Sequence, residues 1–245
     1  AALYALANIG APQALQALAA AASATTSPLE LGKIDTWKLL YARRIAESGQ
    51  VQEAAELCRR MIAKRRKPGQ ESSRSAALGT LVDILREGAI QDVIQEARSD
   101  NPEVRKAALN FASRIPGQAA TSLWVAQLQG ASSEVKGEII TMLGRRGDKS
   151  ALPVLLNALK SDDSQVRLKT IPAVANLGGK EVLGSLLEHL ATDQKEEIDA
   201  VRTVVLQFRG DDVTDAIASA LGKVSEPAKV TLLDILATRQ AVRHR

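Results

Sequence analysis

NPEVRKAALNFASRIPG, residues 101–117, is written twice more in the same register, as SSEVKGEIITMLGRRGD over residues 132–148 and DSQVRLKTIPAVANLGG over residues 163–179. A valine recurs every 31 residues, as Val104, Val135 and Val166. A basic residue follows each (Arg105, Lys136, Arg167), and four residues further on comes a large apolar one (Leu109, Ile140, Ile171). A fixed period of about 20–50 residues is the signature of stacked repeats, in which each unit buries its apolar face against the next.

On either side of these copies the same logic holds, so the 245 residues count repeats rather than globular domains. Aromatic residues make up only 2% of the chain, so packing must come from close contact of small and branched side chains. The formal charge of +4 is weak, but its distribution is uneven. Residues 43–74 hold nine basic and four acidic residues, whereas residues 161–215 hold six basic and eleven acidic ones. The single cysteine, Cys58, excludes an internal disulfide and a cysteine-rich metal site. The first 29 residues carry no charge, yet Asn8, Gly10, Pro12, Gln13 and Gln16 interrupt them and no basic segment precedes them. They read as a helix pair rather than a signal or membrane segment. Because the chain opens without Met and in mid-pattern, it is expected to be a piece of a longer protein.

Glycine punctuates the helix-pair boundaries at Gly10, Gly49, Gly88, Gly117, Gly147, Gly179 and Gly210, where a left-handed residue ends a helix. The first two spacings, of 39 residues, are longer than the four that follow, of 29 to 32. Ser27, Pro28 and Glu30 form a capping-box arrangement, and that helix is expected to break at Gly32 and resume through Trp37. Val51, Ala54, Ala55, Cys58, Met61 and Ile62 share one helix face. Cys58 therefore reads as a buried apolar residue rather than a nucleophile. Pro172 sits mid-helix, where a kink is expected. No alternating pattern of strand type has useful length, so the chain reads as all-helical.

Residues 89–210 resemble HEAT repeats of the short bacterial type, with a first helix, a tight Asp- or Asn-bearing turn, and a second helix opening on Val-Arg and closing near Leu-Gly. LPVLLNALKSDDSQVRLKTIPAVANLGG, from Leu152, is the closest match. The resemblance implies an all-α fold, an α-solenoid with an armadillo/HEAT-like superhelix of about seven to eight helix pairs. Residues 1–88 are expected to form longer repeats and 89–245 short HEAT repeats, in one continuous solenoid. The family pairs a turn Asp with the Arg of the second helix as an inter-repeat ladder, which implies Asp100 with Arg105 and Asp162 with Arg167. The pattern departs at Ala131 with Lys136, and at Ile198 after Asp193. Residues 42–68 look instead like part of a tetratricopeptide repeat, with Gly49, Val51, Ala54 and Cys58 at that motif's small and apolar positions. Mixed arrays of this kind resemble those beside a concanavalin-like sugar-hydrolase domain in secreted bacterial proteins. That likeness alone leans the location towards periplasmic or secreted.

Chemistry is sparse. His189 has no second histidine at metal-ligand spacing and reads as a helix-surface residue beside Glu188; His244 lies in the tail. No nucleophile elbow, phosphate loop or dinucleotide fingerprint is present, so no enzyme activity, cofactor or metal is expected. The pairs Asp162-Asp163 and Asp211-Asp212 read as helix caps rather than catalytic carboxylates. The triplets Arg146-Gly147-Asp148 and Arg209-Gly210-Asp211 read as repeat punctuation rather than adhesion motifs. Arg59, Arg60, Lys64, Arg65, Arg66 and Lys67 place six basic residues in nine positions. They are either a solvated helix end or an anion or partner site, with nucleic acid the weaker alternative. The favoured function is a non-catalytic protein-interaction scaffold, with Lys106, Asn110 and Arg114 of an inner helix facing the partner.

Overall fold

A computed structural model of the chain describes residues 2–190 and 194–243; Asp193 and His244 lie outside them. The described residues are all-α, with no strand among them, arranged as the helix pairs of an α-solenoid. Two compact units are present, Ala1–Pro116 and Gly117–Arg245.

The first unit contains α1 (Ala2–Asn8), α2 (Ala14–Ala24), α3 (Pro28–Glu47), α4 (Val51–Lys64), α5 (Glu71–Leu85), α6 (Ile90–Ala97) and α7 (Pro102–Ala112). Neighbours in sequence pack on one another, α3 on α4, α4 on α5 and α6 on α7, while α5 also packs on α7. The apolar face of α4 is buried as its pattern requires, including Ala54, Ala55, Met61 and Ile62. Cys58 is fully buried there, and burial pushes its thiol up to about 12, far from a reactive thiolate. The break expected at Gly32 does not occur, because α3 runs unbroken from Pro28 to Glu47. A mid-helix glycine costs only about 1 kcal/mol. The burial of Ile34, Leu39, Tyr41 and Ile45 along the same helix outweighs it.

The second unit contains α8 (Gln118–Ala126), α9 (Ser133–Arg146), α10 (Leu152–Ala158), α11 (Ser164–Gly178), α12 (Leu183–Glu188), α13 (Lys195–Val205), α14 (Asp211–Ala220) and α15 (Glu226–Arg243). The second helices of successive repeats lie side by side, α9 on α11, α11 on α13 and α13 on α15. Between α9 and α11 the approach is close enough that a methyl group on Gly144 would fall 2.7 Å from the Ala173 Cα. Second helices start where local capping dictates. The Ser132 hydroxyl accepts from the Val135 N–H, and the Asp163 carboxylate accepts from the Gln165 N–H at 2.9 Å. Pro172 is accommodated inside α11 on an exposed position.

Gly10, Gly49, Gly117, Gly147, Gly179 and Gly210 all take positive φ at the boundaries. Gly88 does not; in that repeat the left-handed residue is Arg86, with φ 52° and ψ −120°. It stands three 31-residue periods before Gly179, which has φ 56° and ψ −140°. An arginine therefore holds a glycine conformation.

A polar staple is built twice in the second unit. Arg146 donates from Nε to the Thr121 hydroxyl at 2.7 Å and from Nη2 to the Gly117 carbonyl at 2.8 Å. Arg239 makes the same bonds to Thr214 at 3.1 Å and Gly210 at 2.8 Å, again across 25 and 29 residues. Each arginine thereby ties the C-terminal half of a second helix to the start of the first helix in its own repeat. Arg146→Ala and Arg239→Ala are each expected to lower unfolding free energy by about 1–2 kcal/mol, read as a reduced urea midpoint at constant slope. An unchanged midpoint would show the bonds to be ornamental.

Candidate functional site

The basic cluster starts in the last turns of α4 and runs into the loop beyond it. Arg65 folds back onto Asp35 of α3, with Nε and Nη2 each 2.6 Å from a carboxylate oxygen. Asp35 is only 2% exposed, and its hydrogen bond raises the pKa of the guanidinium against the opposing effect of burial. Arg59 makes a bidentate pair with Asp92 of α6 at 3.0 and 2.9 Å. Arg66 lies 3.5 Å from buried Glu96, which also accepts from Arg74. Arg60 lies 3.4 Å from Glu56, one turn earlier on α4. Only Lys64 and Lys67 of the six make no ion pair among the described residues. What six basic residues in nine suggest as free charge is largely consumed in pinning α3, α4, α5 and α6 together.

Lys106, Asn110 and Arg114 are all exposed, and their four-residue spacing puts the first two on one face of α7. Arg114 lies just past the helix end, its guanidinium 5.1 Å from the centroid of the Phe111 ring.

The expected ladder takes a different form. Arg167 donates from Nη1 to the Ser161 carbonyl at 2.6 Å, and Arg105 likewise to the Ser99 carbonyl at 3.2 Å. Both arginines thus close the turn before their own helix, six residues back. Asp100 and Asp162 are exposed in those turns, and Asp162 acts on Arg167 through longer-range attraction. The carboxylate that bonds Arg167 across the repeats is Glu197 of α13, at 3.1 Å from Nε and 2.6 Å from Nη2. An arginine side chain reaches the next second helix more easily than a short aspartate in its own turn reaches the guanidinium that has already closed it.

Glu197 is 1% exposed and also bonds His189, whose Nε2 is 2.7 Å from Oε2. His189 is therefore part of a buried Arg167–Glu197–His189 cluster, not the surface residue its helix position suggests. Burial pushes the Glu197 carboxyl up, but the hydrogen bonds from Arg167 and His189 overcome it and hold the group below the usual carboxylate range. The sequence carries a signal for this cluster. Glu197 occupies the fourth place in the series Val104, Val135, Val166, and a carboxylate at a buried valine position requires partners. A cavity of about 550 Å³, lined by Asn157, Lys160, Ser185 and His189 among others, opens beside it.

Both charged members of the first Arg-Gly-Asp triplet are engaged. Arg146 forms its staple, and the Asp148 carboxylate accepts from the Thr121 hydroxyl at 2.5 Å and the Ser150 N–H at 3.0 Å. The Thr121 bond leads the effects that depress the Asp148 pKa. Asp163 acts as a cap, whereas Asp212 pairs with Lys180 of the preceding repeat at 2.8 Å. No group of three or more potential metal ligands occurs among the described residues, and none of their helices is long and apolar enough to cross a membrane.

Residues 121–207 match the family model of HEAT repeats. Among solved structures, the chain is similar to a chain of the complex of CpcE and CpcF of phycocyanin lyase from Nostoc sp. PCC7120, at 15% identity and a TM-score of 0.43. That alignment covers 90% of this chain and 92% of the other. No curated protein shows a significant match.

Proposed function

We propose that the chain, whose residues 121–207 match the family model of HEAT repeats, is a non-catalytic protein–protein interaction scaffold whose partner lies along the second helices. The observation that supports this reading is a pair of exposed columns in strict register. Thr141, Pro172, Thr203 and Asp234 form one, and Arg145, Asn176 and Gln207 the other, every member exposed and each step one period long. Asn110 and Arg114 hold the same two register positions in the preceding repeat. Gly144 and Ala173 bring α9 and α11 close together, so the column members on these two helices stand on neighbouring second helices. Longer repeats before residue 89 and short ones after it belong to the same proposal.

Replacing Thr141, Asn176 and Thr203 together with glutamate is expected to abolish partner retention in a quantitative pull-down while leaving the helical circular dichroism unchanged. Equal retention by the triple variant would refute the reading. Duplex nucleic acid binding that is lost on neutralising Lys64 and Lys67 would favour the anion-binding alternative instead.

A further inference from the structure

In the first unit, a cavity of about 470 Å³ opens where α5 ends and the turn after α7 begins. Its apolar lining includes Leu85 and the buried Ile115, and four charged residues border it: Asp83, Arg86, Glu87 and Arg114. All four are exposed, and none forms an ion pair with any described residue. That sets them apart from the neighbouring charges at Arg59, Arg65, Arg66 and Arg74, each of which has a carboxylate partner. Arg114 is nevertheless oriented, because its guanidinium rests over the Phe111 ring and leaves its edge free to donate.

Arg86 is the more telling residue. Its φ of 52° belongs to a conformation in which side chains are strained, and Gly117, Gly179 and Gly210 fill the same register position in later repeats. An arginine held there at a conformational cost implies a use for its side chain.

We propose that this cavity docks a peptide segment of the partner protein in which an aliphatic residue stands between one acidic and one basic residue. The aliphatic side chain takes the floor at Leu85 and Ile115, the carboxylate is gripped by Arg86 and Arg114, and the cation meets Asp83 and Glu87. Two unpaired charges of each sign around an apolar floor are complementary to that pattern and mismatched to a purely acidic or purely basic ligand. The proposal rests on the scaffold reading and adds to it a contact with its own chemistry.

The test is fluorescence polarisation with two labelled peptides, each carrying a leucine pair between one glutamate and one lysine, in the two opposite orders. One order is expected to bind saturably. Arg86→Gly is expected to weaken that binding about tenfold, the loss of one charge-assisted contact. By relieving the strained backbone, the same variant should raise Tm by about 2–4 °C. Arg114→Gln should weaken binding similarly. Asp83→Lys combined with Glu87→Lys should transfer preference to a peptide whose lysine is replaced by glutamate. Binding of neither peptide, or binding indifferent to Arg86→Gly, would overturn the proposal. Because these variants leave Thr141, Asn176 and Thr203 untouched, the scaffold reading stands or falls separately.

Discussion

Glu197→Ala is expected to lower the unfolding free energy by about 3 kcal/mol, a large effect for the loss of one polar side chain. The carboxylate is 1% exposed and holds two cationic or donating side chains, Arg167 at 17% and His189 at 13% side-chain exposure. Removing it strands a guanidinium that has lost its partner and most of its water, a situation that typically costs about 3–5 kcal/mol when fully buried. The lower end applies because Arg167 retains the Ser161 carbonyl and some solvent. Glu197→Val, which restores the valine of the preceding repeats, should be no better unless Arg167 is replaced by an apolar residue as well. The double variant should then recover most of the loss, as apolar replacement of buried ion pairs often does.

The cluster also sets a pH dependence. The Glu197 pKa is lower in the folded chain than the unfolded value of 4.5. Its contribution is therefore fully present above that unfolded value and is lost as pH falls through the folded one. Urea midpoints of the wild type and Glu197→Gln should differ most at neutral pH and converge in acid. A constant difference down to strongly acid pH would show that the carboxylate's charge is not what matters.

Gly144→Ala is the second large effect. In an ordinary helix the change would stabilise by about 1 kcal/mol. Here the new methyl would lie 2.7 Å from the Ala173 Cα and 2.8 Å from its Cβ. The obstacle is backbone, so α9 and α11 must separate rather than a side chain swing aside. Overpacking of this kind costs about 1–3 kcal/mol even after relaxation, and the net expectation is a loss of about 2 kcal/mol. Gly184→Ala is a matched control, since no atom lies within 4 Å of where its methyl would stand and α12 should simply gain helix propensity. Equal midpoints for the two variants would mean that the close approach is not a constraint.

The helix starts at Asn101, Ser132 and Asp163 are legible in the sequence because each depends on a side chain reaching an N–H two or three residues along, a contact internal to the local string. The 31-residue period is legible because stacking demands apolar residues at fixed places. The long-range polar partners are not. Asp35, Asp92 and Glu96 stand 30 or more positions from Arg65, Arg59 and Arg66, the arginines they neutralise, so the cluster at residues 59–67 reads as free charge. Gly88 looks like the boundary glycine because glycine is the usual solution; the turn itself lies two residues earlier, on Arg86. The staples are hidden for a related reason. Arg146 and Arg239 lie three periods apart, so aligning adjacent repeats places Leu177 and Phe208 at their positions and masks the correspondence.

Whether a protein partner lies along the second helices can be read by site-specific photo-crosslinking in native extract. A photoreactive residue would be placed in turn at Thr141, Asn176 and Thr203 of the second helices and at Ser122, Asn157 and Glu188 of the first helices, all of which are exposed. With the partner on the second helices, those three positions should give a common crosslinked product and the three first-helix positions none. A common product from the first-helix positions alone would contradict that placement.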